Sequence, residues 1–316
     1  MENKEYEKLI QELNWYLKDE DHFKTMVRND FIGIHKPYED NQTFEDKINR
    51  TTPKLNKLEV VDSSPKTYLK LEDVNYYIND YGCRGHWDLS EKKDDEIIMG
   101  VFGCSFTFGE ALDDSMIWPN LVKTHLSKRN IRIINMGFPG ASPYTCVRYF
   151  MYLSSVIDLD YAMFVFPTHF RSEYVFFDKK GVSRYPLIAN YNPRNDDNDS
   201  KVDVWRKYYD VIDENNMIHF LYYIITIIKE RTESKGIKLF ASSWDYQTYS
   251  VIKSMLKENQ TLPYFDFLEN KSRPLRGLAR DGRHPGPATH KNFAHQVVEK
   301  LCEFSDDFGG FNNRLI

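Results

Sequence analysis

The spacing of hydrophobic positions divides the chain near residue 97. Between residues 3 and 29, apolar side chains recur at helical spacing among charged ones, which predicts one or two amphipathic helices. Residues 36 to 66 are polar and contain three prolines, as is typical of a loop-rich connector. A short strand is predicted at residues 76 to 82. We therefore expect an N-terminal helical and loop-rich extension over residues 1–75 and an α/β domain over residues 76–316.

From residue 97 onward, short apolar runs alternate with amphipathic segments. Short apolar runs that end at glycine or polar residues are typical of strands buried in a parallel sheet. Their alternation with helical segments predicts an α/β fold with helices on both faces of the sheet. The predicted strands are 97–102, 131–136, 161–166, 237–241 and 262–267; the predicted helices are 114–128, 144–155, 215–235 and 288–304, with an exposed insertion at 178–204.

Charge and composition exclude several classes of function. The net charge is -5 and the pI is near 6.0, which is not the basic footprint of a nucleic-acid-binding protein. Residues 1 to 20 lack the apolar core of a secretory signal, and no apolar stretch is long enough to span a membrane. The four cysteines show no CxxC pair. We expect a cytoplasmic protein with reduced thiols, no metal or other cofactor, and no nucleic-acid or membrane partner. The oligomeric state is not predicted.

In such a sheet, ligands bind beyond the carboxyl ends of the strands. The first predicted strand is followed by Gly-Cys-Ser-Phe-Thr-Phe-Gly, in which Gly103 and Gly109 flank Ser105. A tight turn at this point lifts the serine hydroxyl out of the sheet and leaves backbone N–H groups able to bind an anion. A serine that only caps the following helix fits the same residues, so both interpretations stay open.

Two further segments carry candidate chemistry. Residues 135 to 142 (Asn-Met-Gly-Phe-Pro-Gly-Ala-Ser) follow the second strand, where glycines suit a turn and also allow a backbone amide to approach an oxyanion. Asp281 and His284 precede the last helix. A serine hydroxyl needs a base, imidazole is the natural one near neutral pH, and a carboxylate fixes its tautomer. The alternative is a surface loop with a chance Asp and His.

Together these segments resemble the SGNH (GDSL-like) serine hydrolase family. Gly-x-Ser-x-Thr-x-Gly at 103–109 is similar to its nucleophile block, Asn-x-Gly-x-x-Gly-x-Ser at 135–142 to its second block, and Asp-Gly-x-His-Pro at 281–285 to its closing block. Residues 78 to 85 also resemble a lead-in segment found upstream of such domains. The resemblance covers about residues 76 to 304 and leaves the first 75 residues unmatched.

This resemblance implies a flavodoxin-like three-layer α/β/α sandwich and ester hydrolysis through an acyl-enzyme. Carried over by position, Ser105 is the nucleophile and its own N–H is one oxyanion donor. Gly140 supplies a second N–H. His284 is the base and Asp281 is its orienting partner. The implied substrate is a small acyl ester, for example an O-acetyl group on a carbohydrate.

The chain departs from the family pattern at two places. Cys104 replaces the aspartate that usually precedes the serine and mainly braces the turn. After the third strand, at residues 166 to 171, the family has a Gly-x-Asn-Asp block. This chain has no asparagine there. His169 lies nearest to the absent asparagine, with Thr168 and Arg171 close by, and each can donate a hydrogen bond to an oxyanion. A structural role for His169 is an equally good interpretation.

Other functions and roles stay open at this point. The same site can serve an O-acyltransferase that acts on a sugar, and the fold can persist in a catalytically silent binding or assembly module. Asp245, after the fourth strand, is predicted to cap a helix rather than contact substrate. Cys104 is predicted to be a buried small hydrophobe, and His290 and His295 to lie on the surface.

Overall fold

The computed structural model describes residues 79, 83–178, 181–187, 213–266, 279 and 284–308. For residues 174–178, 181–187 and 306 the description covers the backbone alone. The predicted amphipathic helices, the connector and the domain boundary at residue 75 lie outside these residues, as does most of the short strand predicted at 76–82.

A four-stranded parallel sheet forms the centre of the domain, with strand order β2-β1-β3-β6. A separate antiparallel hairpin pairs β4 with β5. The strands are β1 (Ile97–Gly103), β2 (Ile131–Gly137), β3 (Tyr161–Phe166), β4 (Ser172–Asp178), β5 (Gly181–Leu187) and β6 (Lys238–Ser243).

Helices connect the parallel strands. They are α1 (Ser105–Phe108), α2 (Trp118–His125), α3 (Pro143–Val156), α4 (Glu214–Lys235), α5 (Tyr246–Met255) and α6 (Pro287–Phe304), with 3₁₀ turns at Asp114–Met116, Glu258–Gln260 and Asp306–Phe308.

The strand order defines a doubly wound sheet. The chain moves outward from β1 to β2, then returns past β1 to β3 and continues to β6. Because crossovers between parallel strands are right-handed, this reversal places α2 on one face of the sheet and α3 and α4 on the other. The last helix, α6, packs against α2, and α3 packs against α4. The predicted α/β/α layers with a parallel sheet are confirmed.

The sheet is held between the helices by large apolar side chains. All six residues of β3 are buried, as expected for a strand that helices cover on both faces. The ring of Phe102 on β1 stacks on Phe164 of β3 at 4.8 Å and meets Phe150 of α3 edge-on at 5.6 Å. On the other face, Trp118 and Phe293 join α2 to α6 with ring centroids 5.3 Å apart.

One predicted helix and one predicted strand differ from the observed elements. The helix predicted at 114–128 is divided into a 3₁₀ turn and α2, because Ile117 is extended (φ -84, ψ 142) before Pro119 in the first turn of α2. The fifth strand predicted at 262–267 is not formed by residues 262–266, and the adjoining Thr261 makes only an isolated parallel bridge with Ala241. The hydrogen bonds to β6 are irregular, because Leu262 N–H donates to the Ala241 carbonyl at 2.8 Å and Phe265 N–H, three residues later, donates to that of Ser243, two residues later, at 3.1 Å.

Within the exposed insertion predicted at 178–204, residues 181 to 187 form β5, a strand that the sequence analysis did not predict. The strand pairs with β4 in a register that runs from Ser172 opposite Leu187 to Asp178 opposite Gly181. The Tyr, Val and Phe residues of β4 followed by a Lys-Lys-Gly turn were a usable hairpin signal. None of the described helices has the length and apolar character that crossing a membrane requires.

Candidate active site

Ser105 begins α1 immediately beyond the carboxyl end of β1, and it is buried with 3% of its surface exposed. The tight turn depends on glycine at both ends. A Cβ on Gly103 would lie 2.1 Å from Thr107 Oγ1 and 2.7 Å from the Val165 carbonyl oxygen. Gly109 ends α1 with φ +81, a left-handed conformation that favours glycine. The sequence therefore fixes where the serine sits on the rim of the sheet.

The second block braces this turn from β2. Asn135 Nδ2 donates to the Thr107 carbonyl at 3.2 Å, and its Oδ1 accepts from the Gly137 N–H at 2.9 Å. A Cβ on Gly137 would lie 2.4 Å from the Phe108 nitrogen, so only glycine lets α1 approach β2 this closely. The asparagine and glycine of the second block thus position the nucleophile block.

Arg84 holds the other side of the turn. Its side chain is fully buried and its Nε donates to Asp114 Oδ1 at 2.6 Å. Nη1 donates to the carbonyls of Phe108 (2.9 Å) and Gly109 (2.6 Å), and Nη2 donates to that of Leu112 (2.6 Å). Sequence reasoning missed this role, although Arg84 lies within the lead-in segment at 78–85 that resembles the family.

His284 lies against the turn that carries Ser105. Its ring meets the edge of Phe106, the residue after Ser105, with centroids 5.8 Å apart. Its Nε2 lies 3.4 Å from Glu110 Oε2, one residue past the end of the glycine-flanked block. Asp281, the predicted orienting partner, lies outside the described residues. The structure thus brings His284 and the nucleophile turn together and adds Glu110, which sequence reasoning missed because a single glutamate after a turn has no distinguishing pattern.

Gly140 lies in the turn between β2 and α3, at the same edge of the sheet as Ser105. It has φ +71, in the left-handed region that favours glycine. Ser142, which ends the second block, accepts from the Thr145 N–H and caps α3 in a capping box, with Pro143 at the first helical position. The serine of this block therefore has a structural role, and the glycine shapes the turn beside it.

His169, after β3, is buried and anchored to the start of α5. Its backbone N–H donates to Thr248 Oγ1 at 2.9 Å, and its Nδ1 lies 3.2 Å from the same oxygen and 3.5 Å from Asp245 Oδ1. The Thr248 hydroxyl donates to Asp245 at 2.8 Å, so we assign the ring proton to Nδ1. Nε2 then carries a lone pair; it makes no hydrogen bond among the described residues and lies 3.9 Å from Glu214 Oε1.

Asp245 caps α5, as predicted, by accepting from the Thr248 N–H. Burial raises the pKa of this carboxyl, but hydrogen bonds from His169 and Thr248 outweigh burial and hold the pKa below its usual value. The carboxylate is therefore charged at neutral pH and is committed to the histidine and the helix. Thr168 makes a local turn, accepting from the Arg171 N–H through its carbonyl at 3.1 Å.

Arg171 and Trp244 form the remaining part of this rim. The guanidinium carbon lies 5.2 Å from the centre of the Trp244 ring. On the indole, Nε1 donates to Cys104 Sγ at 3.2 Å, and the ring packs against Phe106 with centroids 4.9 Å apart. Cys104 is buried, as predicted. The indole thus links Arg171 to the residues on either side of Ser105.

His290 lies beneath the site, and its predicted surface position is wrong. The ring is fully buried between Phe265 and the start of α2, where its Nδ1 accepts from the Trp118 N–H at 3.0 Å. Burial, with smaller contributions from the charges of Arg84 and His284, lowers its pKa to about 3. His290 is therefore neutral at physiological pH. His295, on the same helix, is partly exposed, as the prediction requires.

No protein-family model and no curated protein matches the sequence. Solved structures with a similar fold include a member of the lipolytic protein G-D-S-L family from Veillonella parvula DSM 2008 (13% identity, TM-score 0.39, covering 65% of this chain and 97% of that one). Others are a psychrotrophic esterase from Pseudoalteromonas sp. (10%, 0.41, 66% and 97%) and an acetylxylan esterase from Geobacillus stearothermophilus (14%, 0.38, 66% and 94%).

Proposed function

We propose that this protein is a serine ester hydrolase with Ser105 as nucleophile and His284 as base. The observation that supports it most is the position of the His284 ring, 5.8 Å from the ring of the residue after Ser105, at the carboxyl edge of a parallel sheet. The proposal is supported by the proximity of these two regions, since Ser105 and His284 are 179 positions apart in the chain and ligands bind at the carboxyl edge of such sheets.

In the proposed mechanism, Ser105 Oγ attacks the ester carbonyl while His284 takes the hydroxyl proton. The resulting oxyanion is bound by the N–H groups of Ser105 and Gly140. The first amides of a helix have no acceptor within the helix, which makes the Ser105 N–H suited to this role. His284 then gives its proton to the leaving alcohol. In the second half of the reaction, His284 takes a proton from water as the water attacks the acyl-enzyme, and then returns a proton to Ser105 Oγ as the acid is released.

Two carboxylates are candidates for stabilising the protonated His284. Asp281 takes this role by its place in the closing sequence block. Glu110 has the support of geometry, since its Oε2 lies 3.4 Å from Nε2 of the ring. A carboxylate at this distance favours the imidazolium that forms when the serine proton is transferred.

The family pattern has a third oxyanion donor, an asparagine side chain after the third strand. In this chain His169 lies nearest to that position. With the ring proton assigned to Nδ1, His169 presents an acceptor rather than a donor at Nε2. This leaves the two backbone donors as the core of the oxyanion site. The substrate that we propose is a small acyl ester, of which an O-acetyl group on a carbohydrate is the example that the sequence resemblance implies.

A fluorophosphonate probe, which labels activated serines, tests the proposal. We expect the wild-type protein to be labelled and to hydrolyse para-nitrophenyl acetate, with turnover falling below about pH 6.5 because a protonated imidazole cannot accept a proton. Ser105→Ala should lose the label and about 10³-fold or more of the turnover. Ser127→Ala, on an exposed serine after α2, is the matched control and should keep both.

Two results would contradict the proposal. An unlabelled and inactive wild-type protein would support a silent binding module, and labelling that persists in Ser105→Ala would point to another nucleophile. Analysis of the products with a sugar acceptor present separates hydrolysis from acyl transfer, since only transfer yields the acylated sugar.

A further inference from the structure

Two nitrogen atoms of the Arg171 guanidinium are buried where the described part of the chain provides no hydrogen-bond acceptor for them. Its Nε and Nη1 are both buried and neither has a hydrogen-bond partner there. An arginine side chain stays protonated at all physiological pH values, so it cannot relieve this cost by losing a proton. Buried polar groups in native proteins are almost always bonded, and a buried cation is stable only with a compensating group.

The neighbouring acidic side chains are already engaged elsewhere. Glu173 accepts from Thr145 Oγ1 at 2.6 Å and pairs with Arg148 at 3.2 Å. Asp245 accepts from Thr248 and holds His169. Contact with the Trp244 ring, at 5.2 Å, compensates part of the charge but supplies no acceptor for either N–H.

The guanidinium is also placed where a substrate would lie. Arg171 follows β3, which pairs directly with β1 in a register that sets Gly103 opposite Val165. The loops that carry Ser105 and Arg171 therefore leave the sheet side by side. Trp244 joins them physically, since it contacts both the guanidinium and Phe106. Arg171 keeps part of its surface exposed, which leaves a route from solvent.

We propose that Arg171, supported by the Trp244 ring, is a specificity residue that receives a carboxylate of the substrate, so that the preferred ester is that of an acidic molecule. This inference rests on the proposed hydrolase function and adds the substrate class. A carboxylate is the acceptor that the planar guanidinium fork binds best, through charge-assisted hydrogen bonds. The carboxylate can belong to the acyl group or to the alcohol of the ester.

Two pairs of esters distinguish these sources and test the proposal. For the alcohol side, para-acetoxybenzoate is compared with the neutral para-acetoxybenzamide. For the acyl side, the para-nitrophenyl monoester of adipic acid is compared with para-nitrophenyl hexanoate. The readout is the ratio of kcat/KM between the charged and the neutral member of each pair. We expect a ratio of about tenfold to hundredfold in one pair, as charge-assisted hydrogen bonds provide.

In Arg171→Met this ratio should fall to about one, and in Arg171→Lys it should be intermediate, because lysine keeps the charge but not the fork. Arg129→Met removes an exposed arginine just before β2, at the opposite edge of the sheet, and should keep the wild-type ratio. A purely structural role for Arg171 would lower the rates for both members equally and leave the ratio unchanged. That result, or a wild-type ratio near one in both pairs, would overturn the inference.

A binding measurement separates failure of this inference from failure of the hydrolase proposal. If neither pair is hydrolysed and the fluorophosphonate probe does not label the protein, the proposed activity is wrong. The carboxylate site is then decided by calorimetric titration with para-hydroxybenzoate, para-hydroxybenzamide and adipate. Tighter binding of either acid than of the amide, lost in Arg171→Met, supports the site; equal binding or none refutes it.

Discussion

The ends of β1 and β3 lie side by side, but their polar groups are satisfied differently. After β1, the carbonyls of Thr107, Phe108 and Gly109 each accept a hydrogen bond from a buried Asn135 or Arg84 side chain, and Thr107 Oγ1 is the buried side-chain atom there without a hydrogen-bond partner among the described residues. After β3, buried ring and guanidinium nitrogens of His169 and Arg171 have no hydrogen-bond partner in the described part of the chain, although His169 Nε2 lies 3.9 Å from Glu214 Oε1.

The two strand ends therefore differ in how they contribute to the candidate site. The turn after β1 is held in place by the protein itself, which is what a nucleophile needs if its geometry is to be set before substrate binds. The rim after β3 contains polar atoms that a bound molecule can satisfy. We infer that the first region determines the chemistry and the second selects the substrate.

Breaking the brace after β1 should have the largest effect on stability. Arg84→Met removes all four hydrogen bonds of a fully buried guanidinium and leaves Asp114 and three carbonyls without their partner. We expect a loss of about 3–5 kcal/mol in the free energy of unfolding, measured with urea, because unpaired buried groups are costly. Fluorophosphonate labelling of the folded fraction should also slow, because Ser105 loses its support.

Arg132→Met is the matched control for Arg84→Met. Arg132 is another largely buried arginine, paired with Glu96 and Asp88 on the early part of β2, away from the carboxyl edge of the sheet. It should lower stability without slowing the labelling of Ser105. Equal labelling rates in the two variants would mean that Arg84 stabilises the fold but does not position the serine.

A second test addresses the neutral histidine beneath the braced turn. The pKa of His290 is about 3 in the folded protein and about 6.5 in the unfolded chain, so below pH 6.5 the unfolded state binds the extra proton. Stability should therefore fall as the pH drops, by about 2 kcal/mol from this residue between pH 7.5 and pH 5, in urea unfolding.

The free energy of unfolding should depend less on pH in His290→Gln, whose side-chain oxygen can still accept from the Trp118 N–H. His295→Gln, on the partly exposed histidine of the same helix, should keep the wild-type slope. If His290→Gln retains the full pH dependence, the loss of stability has another source, such as the paired carboxylates.

The sequence predicts the sheet well because its strands are apolar on both faces. The strand predicted at residues 161 to 166 is observed with the same limits, since helices cover both sides. The failure at 262–267 has a local cause, the irregular hydrogen bonding of Leu262 and Phe265 to β6, which a count of apolar residues does not reveal. His290 was also predictable, because it shares one helical face with Phe293, Val297 and Leu301, all buried.

The site is only partly predictable for a different reason. The first two blocks identify Ser105 and Gly140 as candidates because the turns that carry them need particular residues in local order, and the closing block identifies His284 by its residue types alone. The contacts of Arg84 join residues 24 to 30 positions apart, and Glu110 meets His284 across 174 positions. Such pairings depend on the tertiary arrangement and leave no spacing in one sequence. The unpaired nitrogens of Arg171 are visible only once burial is known.

The smallest expected effect on turnover is that of substituting His169. This substitution tests whether the end of β3, like the end of β1, takes part in the chemistry. His169→Ala removes the contacts to Thr248 and Asp245, so we expect a loss of about 1–3 kcal/mol in the free energy of unfolding. Hydrolysis of para-nitrophenyl acetate by the folded protein should fall less than about tenfold, because an Nε2 lone pair does not donate to an oxyanion. Removal of a true oxyanion donor would lower kcat by about 10²–10³-fold.

The control is Thr248→Val, which removes the same hydrogen bond from the other side and leaves the imidazole in place. Its loss of stability should match that of His169→Ala. If turnover falls by about 10² or more in His169→Ala but not in Thr248→Val, the tautomer that we assign is wrong, and the end of β3 takes part in the chemistry rather than only in the choice of substrate.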